Sequence, residues 1–266
     1  MHPVLFHVGE FALHSYGALG ALGFLAVVFG ALRRAQALGW SRDRVVDIIF
    51  WSALAGIVGA RALYLLTNLG SFRTLGDAIN LRNGGLVFYG AMITGFPMAA
   101  WLIHRAKLPY FALMDVFSTV LPLGHAISRV GCLLAGCCFG KPTDLPWGVT
   151  YTDPMAMAPH NISLHPTQMY ETAYLLLIFA ILTAFYRHRK FDGQATLLYL
   201  TLYAIFRTLN EFLRYDETRG WFMEGTFGPT ISTSQAISVL IGGVACGVFL
   251  FGAKAASKHG TTINTG

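Results

Sequence analysis

The sequence predicts an all-α membrane protein of about seven transmembrane helices with a small periplasmic head, on three observations. Of its 266 residues, 55% are hydrophobic and 12% charged, against about 25% charged in an ordinary soluble domain. Apolar runs recur near residues 16–32, 46–66, 86–103, 111–134, 167–186, 194–213 and 231–252, each close to the roughly 20 residues that cross about 30 Å of hydrocarbon. The basic residues between the runs are unevenly shared. Alternate connections and the tail hold Arg33, Arg34, Arg42, Arg44, Arg105, Lys107, Arg187, Arg189, Lys190, Lys254 and Lys258, and the opposite side holds Arg73, Arg82, Lys141, Arg214 and Arg219. The richer side belongs in the cytoplasm, so the N-terminus is expected in the periplasm and the C-terminus inside the cell.

Each run reads as a helix because backbone exposed to lipid must satisfy its own hydrogen bonds. One transmembrane bundle domain is expected over residues 1–266, with residues 67–85 as a periplasmic arm and residues 135–165 as a periplasmic head. The head sequence is rich in Pro, Asp and aromatic residues, which suits a folded insertion better than a linker. There is no basic n-region before the first apolar run and no A-x-A-like site after it, so that helix is expected to stay attached. The net charge of +6 does not point to nucleic acid, because the basic clusters lie where topology needs them. The lack of an internal repeat argues against a transporter built from duplicated halves.

The chain is organised around GHAISRVGCLLAGCCFG, residues 124–140, where Arg129 and a group of thiols end an apolar segment. An arginine at the centre of a membrane helix costs roughly 2.5–3.5 kcal/mol, so it marks a functional site by default. Arg207 is its counterpart, with Glu211 four residues later on the same helical face and Arg214 beyond. One reading is structural, with Asp115, Glu171 and Glu211 neutralising Arg61, Arg129 and Arg207. The other is an anion clamp, since a guanidinium fork matches phosphate oxygens and stays charged in low dielectric.

Further polar groups collect at the expected periplasmic ends. Gly84, Gly85 and Tyr89 open the third run, where glycine lets backbone approach a headgroup and an inward phenol could reach the reacting atoms. Tyr16, next to His14, is a second phenol at that level, although interfacial tyrosine belts are common. His165, Gln168, Tyr170 and Glu171 precede the fifth run in numbers beyond what capping requires. Cys132, Cys137 and Cys138 with His165 could hold a metal by residue type, but the C-x2-C pairing of zinc sites is missing. Small apolar packing residues are the expected role for the cysteines, with a disulfide open to them in an oxidising periplasm.

Taken in order, these motifs resemble the prolipoprotein diacylglyceryl transferase family of bacterial inner membranes. The resemblance rests on His14-x-Tyr16-Gly17, Gly59-x-Arg61-x-x-Tyr64, Gly84-Gly85-x-x-Phe88-x-Gly90, Arg129-x-Gly131, Gly136 with Gly140, His165-Pro166-x-Gln168-x-Tyr170-Glu171, Phe206-Arg207-x-x-x-Glu211-Phe212-x-Arg214 and Ser234-Gln235. It implies seven helices and transfer of the diacylglyceryl group of phosphatidylglycerol to the lipobox cysteine of a prolipoprotein, with release of glycerol phosphate. Arg129 and Arg207 would then hold the phosphate, Glu211 would orient Arg207, and Tyr16 and Tyr89 would stand near the reacting atoms. His14, Arg61, Gly84, Gly85, Gly140, His165, Gln168, Tyr170, Glu171 and Arg214 would line the substrate site.

Two departures stand out. Many members carry histidine at the position of Tyr89, proposed as base for the substrate thiol, and a phenol is a weaker base than imidazole at neutral pH. Many also read G-N-x-x-N-G-E where this chain has Gly131, Cys132, Gly136 and Cys137, which removes two amides and a carboxylate. His14 and His165 are the substitute bases. The expected partners are phosphatidylglycerol, prolipoprotein signal peptides and membrane lipid, with no nucleic acid. No metal or organic cofactor is expected. The rival readings are a non-catalytic protein binding phospholipid or lipopeptide, and a transporter whose pathway the arginines line.

Overall fold

The computed structural model describes residues 2–8, 11–68, 85–215, 221–225 and 228–258. Among them lie seven α-helices: α1 (Ser15–Ala37), α2 (Arg42–Thr67), α3 (Phe88–Arg105), α4 (Tyr110–Ala135), α5 (Thr167–Phe185), α6 (Gln194–Glu211) and α7 (Thr233–Lys258). Among the described residues five segments are long and apolar enough to cross a membrane: Ser15–Ala37, Arg42–Thr67, Tyr110–Ala135, Thr167–His188 and Thr233–Ala255. The remaining two helices, α3 and α6, have 18 residues each, about 27 Å at 1.5 Å per residue. Large apolar side chains face outward along the spans, among them Leu25 and Phe29 of α1 and Leu240 and Phe251 of α7, as lipid as solvent requires.

Helix ends differ from the sequence expectation by a few residues, and α1 shows why. Its apolar run stops at Arg33, but Arg33 and Arg34 are good helix formers. The helix therefore runs on to Ala37, and Gly39 ends it at φ +75°. There the Trp40 and Gly39 amides donate to the carbonyls of Ala35 and Gln36 at 3.0 and 2.9 Å, the paired bonds of a Schellman ending.

The protein is mostly helical, with a few short strands outside the helices. Among the described residues there are three two-stranded antiparallel ladders: β1 (Val4–Val8) with β2 (Phe11–His14), β3 (Val149–Thr150) with β4 (Ser163–Leu164), and β5 (Trp221–Gly225) with β6 (Gly228–Ser232). The first precedes α1 and the other two lie in connections between helices, where short ladders satisfy the backbone groups that no helix takes up.

The chain divides into two compact units, residues 32–113 and residues 1–31 with 114–266. In the first, α2 packs on α3 by backbone contact: a Cβ built on Gly90 would lie 2.3 Å from the Gly59 carbonyl oxygen. Small residues at such a crossing let membrane helices approach closely. In the second, α5 and α6 share a core of Leu175, Ile178, Leu182 and Tyr199, and Tyr174 stacks on Phe206 with ring centroids 5.2 Å apart. The segment between α4 and α5 has its own small core, in which Tyr151, Ala156, Ala158 and Leu164 are buried with Phe139 and Val149 against them.

Candidate functional site

The site begins where α4 stops. Gly136 adopts φ +74°, and the amides of Cys137 and Gly136 donate to the carbonyls of Cys132 and Leu133 at 3.1 and 3.2 Å. This is again a Schellman ending, which folds the chain back over the last helical turn. Cys138 follows in the left-handed region at φ +61°, a conformation that disfavours a residue with a Cβ. The first turn of α5 holds both cysteine carbonyls in place. Thr167 Oγ1 donates to Cys138 O at 2.7 Å, and Gln168 Nε2, from a side chain 1% exposed, donates to Cys137 O at 2.6 Å.

From there residues 139–141 run between two other segments. Gly140 N donates to His165 O at 3.0 Å, Lys141 N to Leu213 O at 2.8 Å and Tyr215 N to Phe139 O at 3.3 Å. A Cβ on Gly140 would lie 2.6 Å from His165 Cβ and 2.7 Å from the carbonyl oxygens of His165 and Leu213. Backbone cannot swing aside as a side chain can, so Gly140→Ala is expected to destabilise the protein by about 1–3 kcal/mol, measured by thermal unfolding in detergent.

Arg129 lies on the inner face of α4, its side chain 16% exposed. Its Nε faces Glu171 Oε2 at 3.2 Å and His125 Nε2 at 3.2 Å, and Nη1 faces the sulfurs of Cys138 and Cys132 at 3.6 and 3.8 Å. Glu171, buried one turn into α5, also stands 3.7 Å from His125 Nε2. Burial of a carboxylate needs such partners. The three thiols converge here as well: the sulfurs of Cys132, Cys137 and Cys138 all lie within 4.8 Å of one another.

Arg207 forms the second centre. Its side chain is 14% exposed; Nη1 pairs with Glu211 Oε2, and Nη2 donates to Ser234 Oγ at 3.4 Å. Glu211 is held in turn by hydroxyl donors, Ser232 Oγ at 2.8 Å and Ser234 Oγ at 2.6 Å. Those serines open α7 with a capping box. The Gln235 amide donates to Ser232 Oγ at 3.2 Å, and Gln235 Oε1 accepts from the Ser232 amide at 3.0 Å. The two centres share a neighbourhood, because His125 and Tyr203 each lie in the electrostatic field of both Arg129 and Arg207.

Outside the spans, three groups titrate unusually. Hydrogen bonds from Cys132 and Cys137, together with the Arg214 and Arg129 charges, push the Cys138 thiol down. Hydrogen bonds to Cys132 and Cys138, and then burial, push Cys137 up. Burial pushes the Tyr151 phenol up to about 12, so it is a neutral acceptor for Gln168 Nε2 at 3.4 Å.

The other expected site residues fall in several places. Tyr16 begins α1 at 54% exposure and lies in the field of Arg129 and the three thiols; His14, at the end of β2, is exposed. His165 Nδ1 and Trp147 Nε1 both meet the Tyr170 hydroxyl, at 3.2 and 2.8 Å. Arg61, in the unit of residues 32–113, donates from Nη1 to Gly85 O at 3.0 Å and lies over the Tyr64 ring. Gly84 and nearly all of the 67–85 arm lie outside the described residues. Tyr89, the second residue of α3, is 62% exposed.

The structural reading of the charges matched Asp115 with Arg61, and there the structure differs. Asp115 accepts from the amides of Gly193 and Thr196 at 2.9 and 2.8 Å and faces Arg189 at 3.7 Å, so it caps α6. Sequence reasoning assigned no role to His125 or Ser232. His125 could have been found from its place four residues before Arg129 on one helical face.

The family model for prolipoprotein diacylglyceryl transferase matches residues 3–251. The chain belongs to that family. It is similar to proteins named phosphatidylglycerol–prolipoprotein diacylglyceryl transferase from Thermotoga maritima, 39% identical over 218 residues covering 80% of this chain and 74% of the relative, and from Clostridium tetani, 32% identical over 251 residues covering 94% and 97%. A third similar transferase, from Finegoldia magna, is 31% identical over 252 residues covering 94% of each chain. Arg129, Arg207 and the thiols all lie inside the span that the transferase family model matches.

Proposed function

We propose that this chain transfers the sn-1,2-diacylglyceryl group of phosphatidylglycerol to the thiol of a prolipoprotein lipobox cysteine and releases glycerol phosphate. The observation that carries the reading is the state of its two arginines. Each is more than four-fifths buried, and the carboxylate beside it engages one nitrogen, Nε of Arg129 and Nη1 of Arg207. A guanidinium has five N–H donors, so donors remain on each fork for a phosphate.

The chemistry asks for this arrangement. The acceptor sulfur attacks the glyceryl carbon, the carbon–oxygen bond to phosphate breaks, and the electron pair leaves with a phosphate monoester that bears one more negative charge than the diester. Fixed cations at the departing oxygens lower that barrier without reorganising. In this reading Arg129 and Arg207 hold the phosphate, Glu211 and Ser234 orient Arg207, and Glu171 with His125 orients Arg129. Gly140, His165, Gln168, Tyr170 and Arg214 shape the headgroup side; by the family resemblance we assign His14, Tyr16, Arg61, Gly84, Gly85 and Tyr89 to the substrate site as well. An apolar groove of about 420 Å3 between α6 and α7, lined by Ala204, Ile205, Leu209, Val239 and Gly242, suits an acyl chain within one or two turns of Arg207.

The same reading places all seven helices across the bacterial inner membrane as one domain. The N-terminus and residues 135–165 then face the periplasm and the C-terminus the cytoplasm, as the basic residues ask. Prolipoprotein signal peptides would meet the lipid at the periplasmic side. Tyr89→Phe is expected to slow transfer about tenfold, the worth of one hydrogen bond near the reacting atoms; an unchanged rate returns Tyr89 to lipid-facing packing. The experiment for the whole reading is complementation of a strain depleted of its own transferase. Growth with a diacylglyceryl mass gain on a lipoprotein cysteine supports it, and an inserted protein that yields no mass gain refutes it.

A further inference from the structure

The departures of this chain from the family pattern coincide in space. Cys132 and Cys137 stand where many members carry an asparagine and a glutamate, and with Cys138 their sulfurs lie within 4.8 Å of one another. Among the described residues, no other group of three His, Cys, Asp or Glu brings ligand atoms together in this way. Zinc–sulfur bonds of about 2.3 Å in a tetrahedral array set sulfurs about 3.8 Å apart, so closure on a metal needs a shift of no more than about 1 Å.

The site is built rather than incidental. Cys138 is held at φ +61°, a strained conformation for a residue with a Cβ. The Thr167 and Gln168 side chains fix the carbonyls of Cys138 and Cys137. Packing alone does not require that strain, since a cysteine filling apolar space could do so from ordinary backbone. Charge also balances. Three thiolates on a dication carry a net charge of −1, and Arg129 Nη1 already stands 3.6 and 3.8 Å from two of the sulfurs.

We propose that Cys132, Cys137 and Cys138 form a three-thiolate zinc site whose fourth position takes the thiol of the acceptor peptide. Sites with three protein ligands and one open position are the catalytic class of zinc site, and a thiol that binds such a metal is deprotonated outright. On coordination the acceptor thiol gives its proton to water and binds as thiolate. That sulfur then attacks the glyceryl carbon, the carbon–oxygen bond to phosphate breaks, and the neutral thioether leaves the metal. The extra charge on the departing phosphate monoester balances the proton released earlier. Placing the nucleophile beside Arg129 supplies the thiol activation that Tyr89 does not, and revises the expectation, drawn from cysteine spacing, that no metal is needed.

Metal binding stands independently of the transferase reading, whereas the role of the fourth position rests on it. The test uses the full chain, purified under reducing conditions in detergent, with zinc content measured and cobalt exchanged for zinc as a spectroscopic probe. One metal per chain is expected, with thiolate-to-cobalt absorption. Cys132→Ser and Cys138→Ser should each weaken zinc binding by roughly 100-fold or more, beyond the 10–100-fold typical of outer partners. A lipobox peptide should shift the cobalt spectrum without added phospholipid, and its serine counterpart should not. Well-folded protein with no metal, with copper instead, or, when isolated without reductant and with free thiols blocked, with Cys132 disulfide-linked to Cys137 or Cys138 by mass spectrometry overturns the proposal. A cobalt spectrum indifferent to the cysteine peptide overturns the open position. A shifting spectrum with no glycerol phosphate released in a complete assay instead refutes the transferase reading and leaves the metal site standing.

Discussion

Arg129→Ala is expected to lower the rate of glycerol phosphate release by about a thousandfold or more while the protein still inserts. Removing one fixed donor at a developing charge costs roughly 2.7–4 kcal/mol, or 10²–10³ in rate. Arg129 does more than donate, since its guanidinium also faces the sulfurs of Cys138 and Cys132. Arg129→Lys separates the two contributions. It keeps a charge but loses the planar fork, and an ammonium cannot serve Glu171, the thiols and a phosphate in the same geometry. A deficit near a hundredfold is expected for the lysine variant, and Arg207→Ala should resemble Arg129→Ala. Steady-state release in proteoliposomes checks all three; wild-type turnover in either alanine variant removes the clamp.

Glu171→Ala should cost about 3–5 kcal/mol of stability, because it strips the partner from a buried charge and leaves the guanidinium uncompensated. Glu171 is 1% exposed and stands 3.2 Å from Arg129 and 3.7 Å from His125. Glu171→Gln, which keeps the shape and an acceptor oxygen, should cost less. The pairing itself is isolated by the double variant. Arg129→Ala with Glu171→Ala should lose less than the sum of the single losses, since neither then leaves a buried charge behind. Thermal unfolding in detergent measures these differences. A single Glu171→Ala loss below about 0.5 kcal/mol, the size of an ordinary surface substitution, contradicts the buried pair.

How much of this was legible beforehand depended on the range of each interaction. Helices were readable because lipid makes hydropathy decisive, and errors such as the end of α1 arose where charge was mistaken for a stop. The Arg207 and Glu211 pair was readable because four residues on a helix share a face. Arg129 with Glu171 was readable only as a matching of charges, and the same matching misassigned Asp115, which caps α6. The cysteine cluster was not readable at all as geometry. It depends on a Schellman ending at Gly136, a left-handed Cys138 and two hydrogen bonds from another helix, none of which spacing encodes. The short ladders likewise fall in segments where hydropathy carries little information.

The central claim is that two buried guanidinium groups grip a phosphate that departs when a peptide thiol attacks. Its most direct measurement is glycerol phosphate released from phosphatidylglycerol in proteoliposomes, counted against thioether formed on a lipobox peptide. The account predicts one glycerol phosphate for each thioether, none with a serine peptide, and loss of both products together in Arg129→Ala and Arg207→Ala. Glycerol phosphate appearing without the cysteine peptide, or full turnover in either arginine variant, would contradict it.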